Sequence, residues 1–269
     1  MKIVDWLTQS TRELTNLGIE SARLDCIILL EHILQKDRVY IMSHGDDSLL
    51  ADQSKFLTQL LQRRKNNEPI AYLIGVKEFY GRSFIVSPKV LIPRPETEDI
   101  IEIIDSLSLP TSSRLLDIGT GSGILAITAS LEFPNLEVLG FDIDSDALVV
   151  AKENNKLLHA TVTFGESNLL SNVQTTADCI IANLPYVAPD QAISPSATFE
   201  PPLALFAEND GLHLIYELID QVSKGTLNQN GFLIVESEPR QHRRIQSYAE
   251  DRGLKLLRTT NFIQLFQKN

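Results

Sequence analysis

The stretch CIIANLPYVAP, residues 179–189, ends an apolar, strand-like run on the bare carboxamide of Asn183 and follows it at once with Leu184, Pro185 and Tyr186. An amide or exocyclic amine nitrogen is a poor nucleophile, because its lone pair is shared with the adjoining π-system. It cannot usefully be deprotonated near neutral pH. Two acceptors that grip its two N–H bonds orient it and favour the pyramidal, more nucleophilic geometry. The Asn183 side-chain oxygen supplies one acceptor and the Leu184 backbone carbonyl the other. Pro185 fixes the turn, and Tyr186 offers a flat wall to a planar group. Catalysis of this kind is positioning and electrostatics, without a covalent intermediate. Asn and Pro are also common turn residues, so the reading depends on what stands upstream.

Upstream lies LLDIGTGSGILA, residues 115–126, which places Gly119, Thr120, Gly121, Ser122 and Gly123 where a strand turns into a helix. Glycines there let the backbone approach a ligand closely, and the helix N-terminus adds donors. Gly121, Gly123 and Ala126 also fit the G-x-G-x-x-A form of a nicotinamide or flavin site. Asp142 ends the next strand, 19 residues after Gly123, and is placed to accept hydrogen bonds from two ribose hydroxyls. Asp144 or Ser145 can cap the helix that follows. Asp117, one strand residue ahead of the glycines, separates the cofactor readings. An anionic pyrophosphate is disfavoured beside a carboxylate, whereas the ammonium and sulfonium of S-adenosyl-L-methionine are favoured there.

These residues need a parallel sheet to hold them. From about residue 97 strands and helices alternate: SRLLDIG, LEVLGFDI, ATVTFGE, DCIIANLPY and GFLIVESE read as strands with helices between. Two closely joined strands, LKLLRTT and FIQLFQKN, end the chain and must be antiparallel. One reversed strand in a parallel sheet is unlike an ordinary dinucleotide-binding domain. Residues 1–75 read as a small helical bundle without internal repeats. In residues 76–96, β-branched and aromatic residues alternate around Gly81 as in a hairpin, and prolines 88, 93 and 95 stiffen the exit. The expected organisation is a helical domain (1–75), a hairpin linker (76–96) and an α/β domain (97–269).

The 269 residues, 43% hydrophobic and 22% charged, suffice for a sizeable core. Residues 1–75 carry nine Lys and Arg against ten Asp and Glu, and residues 76–269 carry 15 against 25, so the latter part holds −10 of the net −11. A domain this acidic does not track a phosphate backbone by bulk attraction, and no direct nucleic-acid partner is expected. No apolar run approaches the ~18 residues that cross a membrane, and the first residues lack a signal-peptide core. Cys26 and Cys179 sit in apolar runs and read as buried thiols, and five scattered histidines give no metal-ligand spacing. A cytoplasmic monomer is the expectation.

Over nearly its whole length the chain resembles the protein-(glutamine-N5) methyltransferases of peptide chain release factors, the PrmC/HemK family. The resemblance rests on PIAYLIGVKEFYGRSFIVSPKVLIPRPETE (69–98), LLDIGTGSGILA, FDIDSDAL, NLPYVAP and FEPPLALFAENDGL (199–212). It implies a seven-stranded, Rossmann-like methyltransferase domain with an antiparallel last strand, and an N-terminal helical domain that helps grip the release factor. It also implies methyl transfer from S-adenosyl-L-methionine to the glutamine of the Gly-Gly-Gln motif, leaving S-adenosyl-L-homocysteine. Carried over, the Gly119–Gly123 loop, Asp117 and Asp142 hold the cofactor, with Asn168 near the adenine. Asn183 touches donor and substrate, and Leu184, Pro185 and Tyr186 complete the amide clamp. The family usually reads Asn-Pro-Pro-Tyr. Leu184 still provides a carbonyl, but Asn-Leu-Pro-Tyr is also the form of ribosomal RNA adenine dimethyltransferases. Adenine-N6 methylation of RNA or DNA is therefore the alternative. A nicotinamide oxidoreductase is disfavoured by Asp117 and by the antiparallel ending.

Overall fold

The computed structural model describes residues 1–269 as two compact units: Met1–Val76 with Ser194–Phe199, and Lys77–Ile193 with Glu200–Asn269. The first unit is helical: α1 (Ile3–Asn16), α2 (Ala22–Leu34), α3 (Arg38–Ser43), α4 (Ala51–Lys65) and α5 (Ile70–Ile74). Trp6, Leu14, Cys26, Leu29, Leu30 and Leu57 share its core, presented at the spacing of amphipathic helices. Inside it, Arg64 Nε donates to Asp25 Oδ2 at 2.7 Å, and Ser21 Oγ donates to the same oxygen at 2.9 Å. Asp37 caps α3 by accepting from the Tyr40 N–H at 2.8 Å. Ile70–Ile74 is the last helix before the hairpin. Its short apolar run lacks the polar alternation that separates strand from helix, and Gly75, at φ +77°, ends it.

From Lys77 onward the hairpin belongs to the second unit. Its strands, β1 (Val76–Phe79) and β2 (Arg82–Ile85), flank Tyr80 and Gly81 at φ +49° and +71°. Two consecutive positive φ values are what a tight two-residue hairpin loop requires. The chain then runs through α6 (Asp99–Leu107), β3 (Arg114–Ile118), α7 (Ile124–Glu132), β4 (Glu137–Asp142), α8 (Ser145–Leu157), β5 (Thr163–Glu166) and β6 (Ala177–Ala182). Next come the short turns α9 (Pro202–Leu205) and α10 (Glu208–Gly211), then α11 (His213–Gln221), β7 (Leu227–Glu236), α12 (His242–Glu250), β8 (Leu254–Thr259) and β9 (Ile263–Lys268). α6 was not foreseen from the sequence.

The seven strands run in the order β5-β4-β3-β6-β7-β9-β8. All pairs from β5 to β7 are parallel, and β9 is antiparallel to both β7 and β8. One strand is thus reversed, as the short final connection requires. Both sheet faces are buried, so strand residues alternate between two cores. Leu116, Ile118, Ile180, Ala182, Leu233 and Val235 pack with α11 and α12. Leu115, Cys179, Ile181 and Ile234 pack with α6 and α7. Chain order reverses between β3 and β6, and a crevice opens at the carboxyl ends of strands at such a switch point. In register, Ile118 stands beside Ala182, so the glycine loop and Asn183 leave the sheet side by side.

Candidate active site

Gly119, Gly121 and Gly123 take φ values of +74°, +53° and +78°, a conformation that side chains other than glycine rarely adopt. The Gly119 and Thr120 N–H groups donate to the Phe141 carbonyl at 2.8 and 2.9 Å. The Gly121 N–H donates to Asp142 Oδ2 at 2.8 Å, and the Asp144 N–H donates to Asp142 Oδ1 at 2.9 Å. Asp142 therefore braces the loop from the neighbouring strand while each oxygen keeps a lone pair. Burial raises its pKa, with the backbone donors of Asp144, Gly121 and Ile143 opposing. Asp144, not Asp142, caps α8, accepting from the Asp146 N–H at 2.8 Å. From α8, the buried Asn154 Nδ2 donates to the Ser122 carbonyl at 2.9 Å and to the Ile85 carbonyl at 3.0 Å, which ties loop to hairpin.

Asp117 lies under the loop. Its Oδ2 accepts from Thr120 Oγ1 at 2.6 Å and from the Ala126 N–H at 3.2 Å. Its Oδ1 is sealed from solvent without a partner. Burial pushes this carboxyl up to about 7, against the hydrogen bonds from Thr120 and Ala126. A cavity opens above the loop, with Asp117, Asp142 and Asp144 in its wall. The one cationic residue there, Lys89, has its Nζ on Asp146 at 2.8 Å. An orphaned carboxylate oxygen in an acidic wall suits a ligand carrying positive charge and opposes a pyrophosphate.

The cavity takes in Asp117, Gly119, Thr120, Gly121, Ser122, Asp142, Asn168, Asn183, Leu184 and Pro185 from the candidates read in the sequence. Gly123 and Tyr186 stand outside its lining. A Cβ on Gly123 meets Ile127, Phe164 and Ala151 at 3.0–3.1 Å, so that glycine serves close packing of α7. Asn183 Nδ2 donates to Thr97 Oγ1 at 3.2 Å. Leu184 turns its side chain inward, 4% exposed, over the α-carbon of Gly119. The Tyr186 hydroxyl donates to Glu236 Oε1 at 3.3 Å. The Tyr186 carbonyl accepts from Gln241 Nε2 at 2.9 Å, and the same amide group donates to the Asp210 carbonyl at 2.7 Å.

Thr97, Glu236, Gln241 and the Arg94–Glu200 pair were not singled out in the sequence. Glu200 is buried, accepts from Arg94 Nη2 at 2.6 Å and from the Ile92 N–H at 3.0 Å. That clip joins two walls of the cavity, Val90–Pro93 and Pro201–Ala204. The available signal was an acid at the start of PPLAL and an Arg-Pro turn with no local partner. Ile143, beside Asp142, is half exposed in the same cavity and gives it an apolar face.

Two family descriptions match the chain: the PrmC N-terminal domain over residues 5–75, and ribosomal protein L11 methyltransferase (PrmA) over residues 94–186. A release factor glutamine methyltransferase of Buchnera aphidicola is 36% identical over 252 residues, which cover 92% of this chain and 90% of that protein. The chain belongs to the release factor glutamine methyltransferase family. A bifunctional methyltransferase of Rickettsia bellii is 34% identical over 285 residues, covering 93% of this chain and 51% of its own length. The chain thus spans about half the length of the Rickettsia relatives it matches. A crystal structure of a methyltransferase from Pyrococcus furiosus superposes with a TM-score of 0.55 at 18% identity, over 82% of this chain and all of that one. That likeness shares the fold.

Proposed function

We propose that the protein transfers a methyl group from S-adenosyl-L-methionine to the side-chain amide nitrogen of the glutamine in the Gly-Gly-Gln motif of peptide chain release factors. The observation that carries the reading is the neighbourhood of Asn183. Its Nδ2 donates to Thr97 Oγ1 at 3.2 Å, and the residue lines an acidic cavity beside the glycine loop. Membership of the release factor glutamine methyltransferase family supports the same substrate.

Bound S-adenosyl-L-methionine supplies an electrophilic methyl group on a sulfonium. Asp142 accepts ribose hydroxyls with its remaining lone pairs, and Asp117, beneath the loop, adds negative charge close to the ligand's cationic groups. Ile143 and Asn168 flank the adenine. Asn183 Oδ1 and the Leu184 carbonyl accept the two N–H bonds of the substrate amide, turning its nitrogen toward the donor. As the carbon–sulfur bond breaks and the carbon–nitrogen bond forms, the nitrogen sheds one of those protons to solvent. Pro185 limits the turn that carries these acceptors. Acceptors held on a fixed turn need little reorganisation during the reaction.

The test is labelled S-adenosyl-L-methionine incubated with a release factor, with its Gln→Ala variant, and with ribosomal RNA in parallel. Label on the first alone is the expected result. Label on RNA alone overturns the reading in favour of adenine-N6 methylation.

A further inference from the structure

The acceptors of the clamp stand on one turn, Asn183–Tyr186, and a turn keeps its shape only if both ends are held. The sheet fixes the near end, where Ala182 registers with Ile118 on β3 and with Val235 on β7. Beyond Tyr186 the chain has left the sheet. There the Val187 N–H donates to the Leu205 carbonyl at 3.0 Å, and the Ala207 N–H donates to the Val187 carbonyl at 2.9 Å. These two bonds hold Val187 but leave the Tyr186 carbonyl to another partner.

That partner is Gln241, directly ahead of α12 and 2% exposed. Its Nε2 donates to the carbonyls of Tyr186 at 2.9 Å and of Asp210 at 2.7 Å. Its Oε1 accepts from the Glu238 N–H at 3.0 Å. All three bonds agree on which end is nitrogen, because a flipped amide sets its oxygen against two carbonyls. The Asp210 carbonyl is brought within reach by Asn209, Asp210 and Gly211, at φ +56°, +56° and +80°. Left-handed residues usually occur singly, so this succession marks a segment held by its surroundings. Its last member has to be glycine. A Cβ on Gly211 falls 1.8 Å from the Tyr186 carbonyl oxygen and 2.8 Å from Gln241 Nε2.

The Tyr186–Val187 peptide is thus gripped at its carbonyl by Gln241 and at its N–H by Leu205. A buried carboxamide with both ends satisfied is a rigid link, and Pro185, its φ locked, carries the constraint back toward Leu184. We propose that Gln241 is a positioning residue for methyl transfer, which holds the far end of the Asn183–Tyr186 turn and so fixes the acceptors that receive the substrate amide. Its effect on turnover rests on the glutamine reading above; its hold on Tyr186 does not.

Tyr186–Val187 is the one Tyr-Val pair in the sequence. Isotope labelling of tyrosine at its carbonyl carbon and of valine at its nitrogen therefore isolates this peptide by NMR. The test compares Gln241→Met, which keeps the length and loses both donors, and Gln241→Glu with the unaltered protein. In Gln241→Met the Tyr186 carbonyl resonance moves upfield, as a carbonyl does on losing a hydrogen-bond donor. The kcat for a release factor falls about 30-fold, the scale of a misplaced reacting group. KM and S-adenosyl-L-methionine affinity change less than about threefold, a split that a merely structural role does not give. Gln241→Glu keeps the shape but has at most one proton for two carbonyls, so it repeats both changes should Gln241→Met fold poorly. An unmoved resonance in both variants overturns the inference, and so does a moved resonance with unchanged kcat. If the resonance moves but the unaltered protein methylates no glutamine, the hold on Tyr186 stands and the assigned reaction fails.

Discussion

A Cβ built on Gly119 falls 2.8 Å from Leu184 Cδ2. The first glycine of the loop after β3 therefore leaves room for the residue after Asn183, and the glycine loop and the Asn183–Tyr186 turn are packed against each other. The sequence reading assigned Leu184 a carbonyl alone; its side chain is also part of the core around α11.

Gly119→Ala meets both the positive φ and the leucine. The backbone conformation alone costs roughly 1–2 kcal/mol, so the variant should melt several degrees lower and bind S-adenosyl-L-methionine more weakly. Adding Leu184→Ala removes the clash but not the strain. The double variant should therefore regain part of the affinity, a non-additivity expected of touching residues. Strictly additive losses in a calorimetric cycle contradict the packing.

Leu184→Pro separates the two roles of that position. The carbonyl persists, so turnover should stay within about tenfold, or ~1.4 kcal/mol. Lost burial should lower stability by about 2–3 kcal/mol, measured by urea unfolding. A stable variant with abolished turnover makes the leucine side chain a specificity element instead.

Asp142 braces Gly121, and the proposed function has it also accept hydrogen bonds from the ligand. Asp142→Ala should weaken S-adenosyl-L-methionine binding by ~1.5–3 kcal/mol, the scale of lost charge-assisted hydrogen bonds. Unchanged calorimetric affinity in a folded variant removes Asp142 from the site.

Two buried carboxyls give a pH signature. Burial pushes Asp117 and Glu236 each up to about 7 in the folded protein, while in the unfolded chain they titrate near ~4. Between those values the folded state holds more protons than the unfolded one, so ligand-free stability falls as pH rises from about 4 through 7. A cationic ligand favours the ionised Asp117, so S-adenosyl-L-methionine affinity should rise over the upper part of that window. Between pH 5.5 and 8, Asp117→Asn should flatten the affinity trend in calorimetry and reduce, without abolishing, the stability trend in denaturation, because Glu236 remains. A wild-type affinity that falls with pH contradicts the placement of Asp117.

Sequence alone carries the parts of this molecule that are written locally. The glycine loop, Asp142 and the NLPY turn each sit within a few residues of a strand end, and the reversed final strand follows from one short connection. α6 escaped, lying directly behind the proline-rich exit of the hairpin. Thr97 and Glu236 escaped for a different reason. Thr97 reaches Asn183 across 86 residues and Arg94 reaches Glu200 across 106, and only the packed sheet brings such pairs together. Gly123 and Tyr186 were read as lining the site because of their motifs, whereas their side-chain positions face α7 packing and Glu236.

The central claim is that Asn183 accepts from the substrate amide, and one measurement addresses it most directly: single-turnover methyl transfer to a release factor by Asn183→Ala. Deleting the acceptor leaves one substrate N–H unpaired, and the loss should be ~2.7–4 kcal/mol in transition-state stabilisation, about a hundred- to a thousandfold in rate. S-adenosyl-L-methionine affinity should fall far less, because the clamp acts on the acceptor nitrogen. A folded Asn183→Ala variant that methylates glutamine at near-normal rate contradicts the account.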